Sequence, residues 1–169
     1  MNDVIKRFKG RYYFLSNFYP SMVSFDGYTY LNAEAAFQAQ KCANPDMRAM
    51  FCSLNPSDAK RVGRHVDLRS DWEKVKFDLM EGIVRAKFTQ NERLRDELIN
   101  TGGAILIEGN TWGDKIWGVD LNRGVGENHL GRILMKVREE LRIESLRDGK
   151  WIERIYDEVA HRRGSKEDT

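Results

Sequence analysis

Two mostly apolar segments flank the polar dipeptide Asp26-Gly27, which predicts strands over Met22–Phe25 and Tyr28–Tyr30 joined by a two-residue hairpin turn. The aromatic-rich stretch Tyr12–Leu15 predicts a further strand. At Asn32 the pattern changes. Four alanines and no glycine or proline through Lys41 predict a helix reaching about Cys42. Pro45 and Pro56 each fit the first turn of a short helix. Trp72, Val75, Leu79, Ile83 and Ala86 recur at helical spacing, with Phe77, Met80, Val84 and Phe88 as a second stripe, so a long helix should cross the interior. Ser70 and Glu73 have the spacing of a capping box at its start. A helix over Glu92–Asn100 should stop at Gly102-Gly103, and Ala104–Glu108 should be a short buried strand. After a glycine- and tryptophan-rich loop from Gly109 to Gly126, Leu130, Ile133, Leu134, Val137 and Leu141 predict an amphipathic helix. A last helix is expected around Trp151–Val159, followed by a frayed tail. With no repeat or low-complexity linker, the expectation is one α+β domain over residues 1–169, a short β-sheet surrounded by several helices.

Composition narrows the class. With 41% hydrophobic and 32% charged residues the chain reads as a globular protein long enough to bury a core. A net charge of +2 is too small to imply nucleic acid by itself but suits an anion bound locally. No apolar leader precedes Lys9, and the purest aliphatic run, Ala104–Ile107, is far short of a membrane span. Cys42 and Cys52 read as free thiols, and a cytoplasmic location is expected. The three histidines show no paired spacing and no partner cysteines, so no metal is expected. The Walker, GxGxxG and GxSxG signatures are absent.

Candidate chemistry gathers in five places. On the predicted helix Glu34, Gln38 and Lys41 fall at i, i+4 and i+7, on a segment with little other polarity. Such a stripe is either an ordinary exposed face or a buried one that some function requires. Ser16, Asn17 and Phe18 either cap a turn or line a pocket, with the asparagine reading hydrogen-bonding edges and the ring stacking. The loop with Glu108, Asp114, Trp117 and Gly118 is a place where backbone can approach a ligand. The turn Gly124–Gly131, containing Asn128, opens a helix whose N-terminus suits a phosphate. Lys87, in the last turn of the long helix, is either a solvated cation or a functional one.

Together these residues resemble the NADAR family, which includes bacterial YbiA-type N-glycosidases. The resemblance rests on Ser16-Asn17-Phe18, Asp26-Gly27, Glu34 with Phe37-Gln-Ala-Gln-Lys41, Arg85-Ala-Lys-Phe88, Thr101 and Glu108. It continues through Asp114, Trp117-Gly118, Gly126, Asn128, Leu130-Gly131 and Arg138, and so runs from about Phe8 to Leu141. Val119-Asp120 departs from the second glycine expected after Trp117-Gly118.

The resemblance implies an α+β fold, a pocket for ADP-ribose-like or ribose-phosphate ligands, and hydrolysis of a bond between ribose and a base nitrogen without a cofactor. The implied substrates are early riboflavin-pathway ribosylaminopyrimidine phosphates or ADP-ribosylated guanine in DNA or RNA. Glu34 and Lys41 are the expected catalytic pair, the first as acid or base and the second as a nucleophilic amine. Ser16, Asn17, Phe18, Gln38, Lys87, Glu108, Asp114, Trp117, Gly118 and Asn128 are the expected substrate-binding residues. The competing expectation is a module that binds ADP-ribose or NAD without turning it over.

Overall fold

In the computed structural model the described residues are 3–149 together with Glu153, Tyr156 and Asp157. Among them three separate two-stranded ladders, and no continuous sheet, are packed among the helices. Strand β1 (Val4–Ile5) pairs in parallel with β4 (Ile105–Leu106), and β5 (Gly109–Asn110) pairs in parallel with β6 (Val119–Asp120). β2 (Pro20–Phe25) and β3 (Tyr28–Asn32) form the predicted hairpin, with Asp26 at φ 49° and Gly27 at φ 83° making its turn. The expected α+β class holds, its strands forming three ladders of two to six residues per strand, too short to close a core without the helices.

The helices are α1 (Ala33–Ala39), α2 (Pro56–Gly63), α3 (Trp72–Thr89), α4 (Glu92–Asn100) and α5 (His129–Arg147). A 3-10 helix over Pro45–Phe51 begins, as expected, at a proline. The long helices bury the predicted stripes. Met80, Ile83, Val84 and Phe88 of α3 meet Leu130, Leu134, Val137 and Leu141 of α5 in one core. Arg85 of α3 reaches Glu140 of α5 at 2.7 Å across the rim of that contact. Arg138 is buried and donates to Thr101 Oγ1 at 2.8 Å and to the Ala104 carbonyl at 2.9 Å, tying α5 to the turn after α4. The predicted helix over Trp151–Val159 lies largely outside the described residues; Glu153, Tyr156 and Asp157 are helical. No helix among the described residues is long and apolar enough to cross a membrane.

Two local expectations fail. Tyr12–Leu15 is part of a 3-10 helix over Gly10–Leu15, closed by bonds such as Ser16 N to the Tyr13 carbonyl at 2.9 Å. The carbonyls of Phe14 and Ser16 go to the Lys87 amine, leaving them unavailable to a neighbouring strand, and Phe14 packs edge-on to Phe88. The Ser70–Glu73 capping box does not form. The helix starts one residue later, after Asp71, whose carboxylate takes Arg69 at two points, while Glu73 pairs with Lys76.

Gly118, beside β6, marks a close backbone crossing. A Cβ there would stand 2.1 Å from the Glu108 carbonyl oxygen and 2.9 Å from Asn110 Nδ2. Backbone cannot yield as a flexible side chain can, so Gly118→Ala is expected to cost ~1–3 kcal/mol. Urea denaturation measures this, and an unchanged midpoint contradicts the crossing.

Candidate functional site

Helix α1 is buried at all seven positions. Asn32 caps it, its Oδ1 accepting from Ala35 N at 2.7 Å while its Nδ2 donates to the Leu54 carbonyl at 3.0 Å. Small alanines let neighbours approach on every side, and Glu34 and Gln38 project into a cavity. Glu34 is only 8% exposed. Gln38 Nε2 donates to Glu34 Oε1 at 2.8 Å, the i to i+4 bond that the helix spacing permits. Glu34 N in turn donates to the Asn17 carbonyl at 3.0 Å, which fixes the Ser16–Phe18 turn against the start of α1.

Burial pushes the Glu34 carboxyl above the ordinary glutamate range, and the negative Asp114 adds to this; Gln38, Lys60 and Lys41 oppose it. Position in the first turn of α1 also favours the anion, so burial is acting against the helix dipole. Lys41 lies just beyond α1, half-buried, with its Nζ 5.8 Å from the Trp72 ring centre. Burial lowers its amine, Glu34 raises it, and Lys60 and Arg64 lower it further.

The cavity has a volume of about 910 Å³. Its acids are Glu34, Glu108 and Asp114; its cations are Lys9, Lys41, Lys60 and Arg64; its rings include Phe18, Phe37, Trp112 and Trp117. Among the described residues no three of His, Cys, Asp or Glu are placed to hold a metal ion.

The wall opposite α1 is a loop organised by Asn110, which is 3% exposed. Asn110 Oδ1 accepts from Gly113 N and Asp114 N, and its Nδ2 donates to the Asp114 and Val119 carbonyls. Asp114 Oδ1 then accepts from Ile116 N and Trp117 N, both at 3.0 Å. Trp117 is set by this turn between Phe37, 5.2 Å away edge-on, and Phe77 at 5.3 Å. Trp112, 65% exposed, stands at the mouth. Glu108 enters the same space; burial, followed by Asp114 and Glu34, pushes its carboxyl from 4.5 up to about 8. Three acids sharing one partly dehydrated cavity cannot all ionise cheaply.

Of the residues singled out in the sequence, Glu34, Lys41, Ser16, Asn17, Phe18, Gln38, Glu108, Asp114 and Trp117 all line this cavity. Ser16 serves the turn as well, its hydroxyl accepting from Phe18 N at 3.1 Å. Lys87, Gly118 and Asn128 are corrected to supports behind the wall. Lys87 is buried, donating to the Phe14 and Ser16 carbonyls at 2.7 and 2.8 Å beneath the turn. Burial pushes its amine down to about 7, while the faces of Tyr19 and Phe88 at 5.6 and 5.1 Å favour the proton. Asn128, at φ 53°, accepts from Glu108 N at 3.0 Å and donates to the Leu106 carbonyl at 2.9 Å, holding the segment that bears Glu108. The expected phosphate seat at the start of α5 is also filled. N–H groups of Asn128, His129 and Leu130 donate to the carbonyls of Gly118, Ile116 and Trp117.

Sequence reasoning missed Lys60, Arg64 and Asn110. The i, i+4 spacing of the first two on α2 was the available signal; Asn110 carried none, since an organising asparagine looks like any loop asparagine.

The chain matches the NADAR domain over residues 5–142. It is 41% identical to the N-glycosidase YbiA of Escherichia coli over 132 residues, 76% of this chain and 81% of that protein. It is equally similar, at 41%, to the riboflavin biosynthesis protein VVA0006 of Vibrio vulnificus, covering 35% of that longer chain. The NMR structure of E. coli YbiA superposes with a TM-score of 0.75 and 39% identity, over 86% of this chain and 89% of that one.

Glu108 carries a stability signature. Folded, it keeps its proton to about pH 8, whereas an unfolded glutamate releases it near 4.5, so stability falls as pH climbs through that window. Glu108→Gln keeps the neutral shape and removes the penalty. Wild type and variant should melt close together at pH 5, with the variant higher at pH 9 by at least ~2–4 °C, the shift of ~1 kcal/mol in a domain of this length. Coincident melting at pH 9 contradicts a dehydrated Glu108.

Proposed function

This chain belongs to the NADAR domain family, and from that premise we propose that it is a hydrolytic N-glycosidase acting on a ribosyl phosphate, cleaving the bond between the ribose anomeric carbon and a base nitrogen. The observation that carries the reading is Glu34, a carboxyl held dehydrated in a ligand-sized cavity with one side-chain partner. Cleavage leaves positive character on the anomeric carbon and requires a proton on the departing base. A carboxyl raised toward neutrality supplies that proton, and once ionised it can take one from the attacking water. Glu108 is the second carboxyl, suited to accept from a ribose hydroxyl.

Lys41 offers a covalent variant of the same reaction. Its amine, lowered by burial, attacks the anomeric carbon as the carbon–base bond breaks, and the base leaves with a proton from Glu34. The sugar ring opens as its oxygen takes the amine's proton, giving an imine. Water then releases the sugar aldehyde and restores the amine. Asn17 and Gln38 would orient ribose and base, with Trp117 closing over them.

Early riboflavin-pathway ribosylaminopyrimidine phosphates are placed first as substrates, because relatives named for riboflavin biosynthesis share this domain. ADP-ribosylated guanine in nucleic acid is the second reading, supported by a cavity near the upper end of ordinary ligand sites. A module that only binds ADP-ribose or NAD is disfavoured, since recognition alone needs neither a dehydrated acid nor a lowered amine beside the sugar.

Base release followed by mass spectrometry tests the proposal on both substrate classes. Glu34→Gln is expected to lower kcat by ~10²–10⁴-fold while ribose 5-phosphate or ADP-ribose still binds. No release by wild type from either class overturns it. Borohydride during turnover should leave a reduced sugar phosphate on Lys41 and not on Lys41→Met; a few-fold loss in that variant, with no adduct on wild type, assigns the lysine to binding.

A further inference from the structure

Glu34, Glu108 and Lys41 have places in the proposed reaction, but Lys60 and Arg64, which line the same cavity, do not. Lys60 and Arg64 sit one helical turn apart on α2 and its C-cap, on one face. Between them Gly63 presses onto α1: a Cβ there would stand 2.1 Å from Gln38 Oε1 and 3.1 Å from Gln38 Cβ. That contact lies one turn beyond Glu34 and aims the face bearing Lys60 and Arg64 at the cavity, which both line.

Neither cation is neutralised. Asp58, the acid in the first turn of α2, is taken by Arg61 at 3.0 Å. Among the described residues the side chains of Lys41, Lys60 and Arg64 make no ion pair or hydrogen bond, although Glu34 and Glu108 both feel the Lys60 charge. Lys60 Nζ instead stands 6.0 Å from the Phe18 ring centre. Both Lys60 and Arg64 also depress the Lys41 amine, as neighbouring cations do, while Glu34 raises it. Such a cluster is unfavourable until a multiply charged anion sits among it, and a guanidinium with an ammonium matches a phosphate.

We propose that Lys60 and Arg64 form the subsite for a phosphate carried on O5 of the ribose, fixing the sugar so that its anomeric carbon faces Glu34. The inference rests on the N-glycosidase reading for the identity of the sugar, and on the unpaired cations for the phosphate. The same phosphoryl group occurs as the monoester of ribose 5-phosphate and as the first phosphate of the ADP-ribose diphosphate.

Titration calorimetry with ribose, ribose 5-phosphate and ADP-ribose decides the matter on wild type and on the Lys60→Gln/Arg64→Gln double variant, with thermal melting as the fold control. Wild type should bind ribose 5-phosphate ~10²-fold tighter than ribose. The double variant should weaken ribose 5-phosphate by ~10–10²-fold, well beyond its effect on ribose. Arg64→Lys should keep most of the affinity, and single Lys60→Gln carries the test if the double variant unfolds. A parallel loss for ADP-ribose means that the site takes either source; a loss confined to one assigns the monoester or the diphosphate. Ribose 5-phosphate and ADP-ribose binding that is indifferent to both side chains overturns the subsite. Phosphate-dependent binding in a protein that releases no base from any riboside leaves the subsite standing and removes the N-glycosidase reading.

Discussion

A carboxyl kept out of water is the constraint on which the rest depends. Glu34 is placed where a helix dipole would welcome its anion, and burial overrides that preference. Keeping it dry requires neighbours on every side of α1, and only small residues let them in: Ala33, Ala35, Ala36 and Ala39 are fully buried. The same closeness ties the Ser16–Phe18 turn to the helix through Asn17 and brings α2 onto Gln38. Chemistry and packing are therefore set by the same seven residues.

Around that helix the polar groups divide by depth. The acids meet in the interior, where burial and mutual repulsion hold protons on carboxyls that would release them in water. Lys41, Lys60 and Arg64 stand at the cavity wall with no acid paired to them among the described residues. Rings supply an apolar wall, with the Trp117 backbone held by Asp114 and its indole packed between Phe37 and Phe77. Behind the wall Lys87, Asn128 and Gly118 each satisfy or accommodate backbone: two carbonyls under the turn, the amide of Glu108, and a crossing with no room for a methyl group. Residues shared with a family divide here into those that face the ligand space and those that hold its walls, and sequence alone does not separate the two.

Much of the fold was legible because it rests on local rules. The turn dipeptide Asp26-Gly27 between two mostly apolar segments foretold the hairpin, and apolar stripes on α3 and α5 foretold the helices that meet in the core. The crowding of alanine around Glu34 pointed to burial without proving it. What escaped depends on distant partners. Tyr12–Leu15 has strand composition, yet its backbone is claimed by Lys87, 73 residues from Phe14. Ser70 has capping spacing, yet Arg69 and Asp71 engage each other and the helix begins later. Lys60 and Arg64 escaped because nothing in the sequence says that Gly63 will seat against Gln38.

The most direct test is a carbon-13 NMR titration of the Glu34 side-chain carboxyl, assigned by comparison with Glu34→Gln and repeated in Glu108→Gln to separate the two acids. A midpoint clearly above the ordinary glutamate value of 4.5, retained when Glu108 is made permanently neutral because burial is its largest cause, is the predicted result. A midpoint at or below 4.5 would mean that Glu34 is an ordinary carboxylate, and the dehydrated acid at the centre of this account would be wrong.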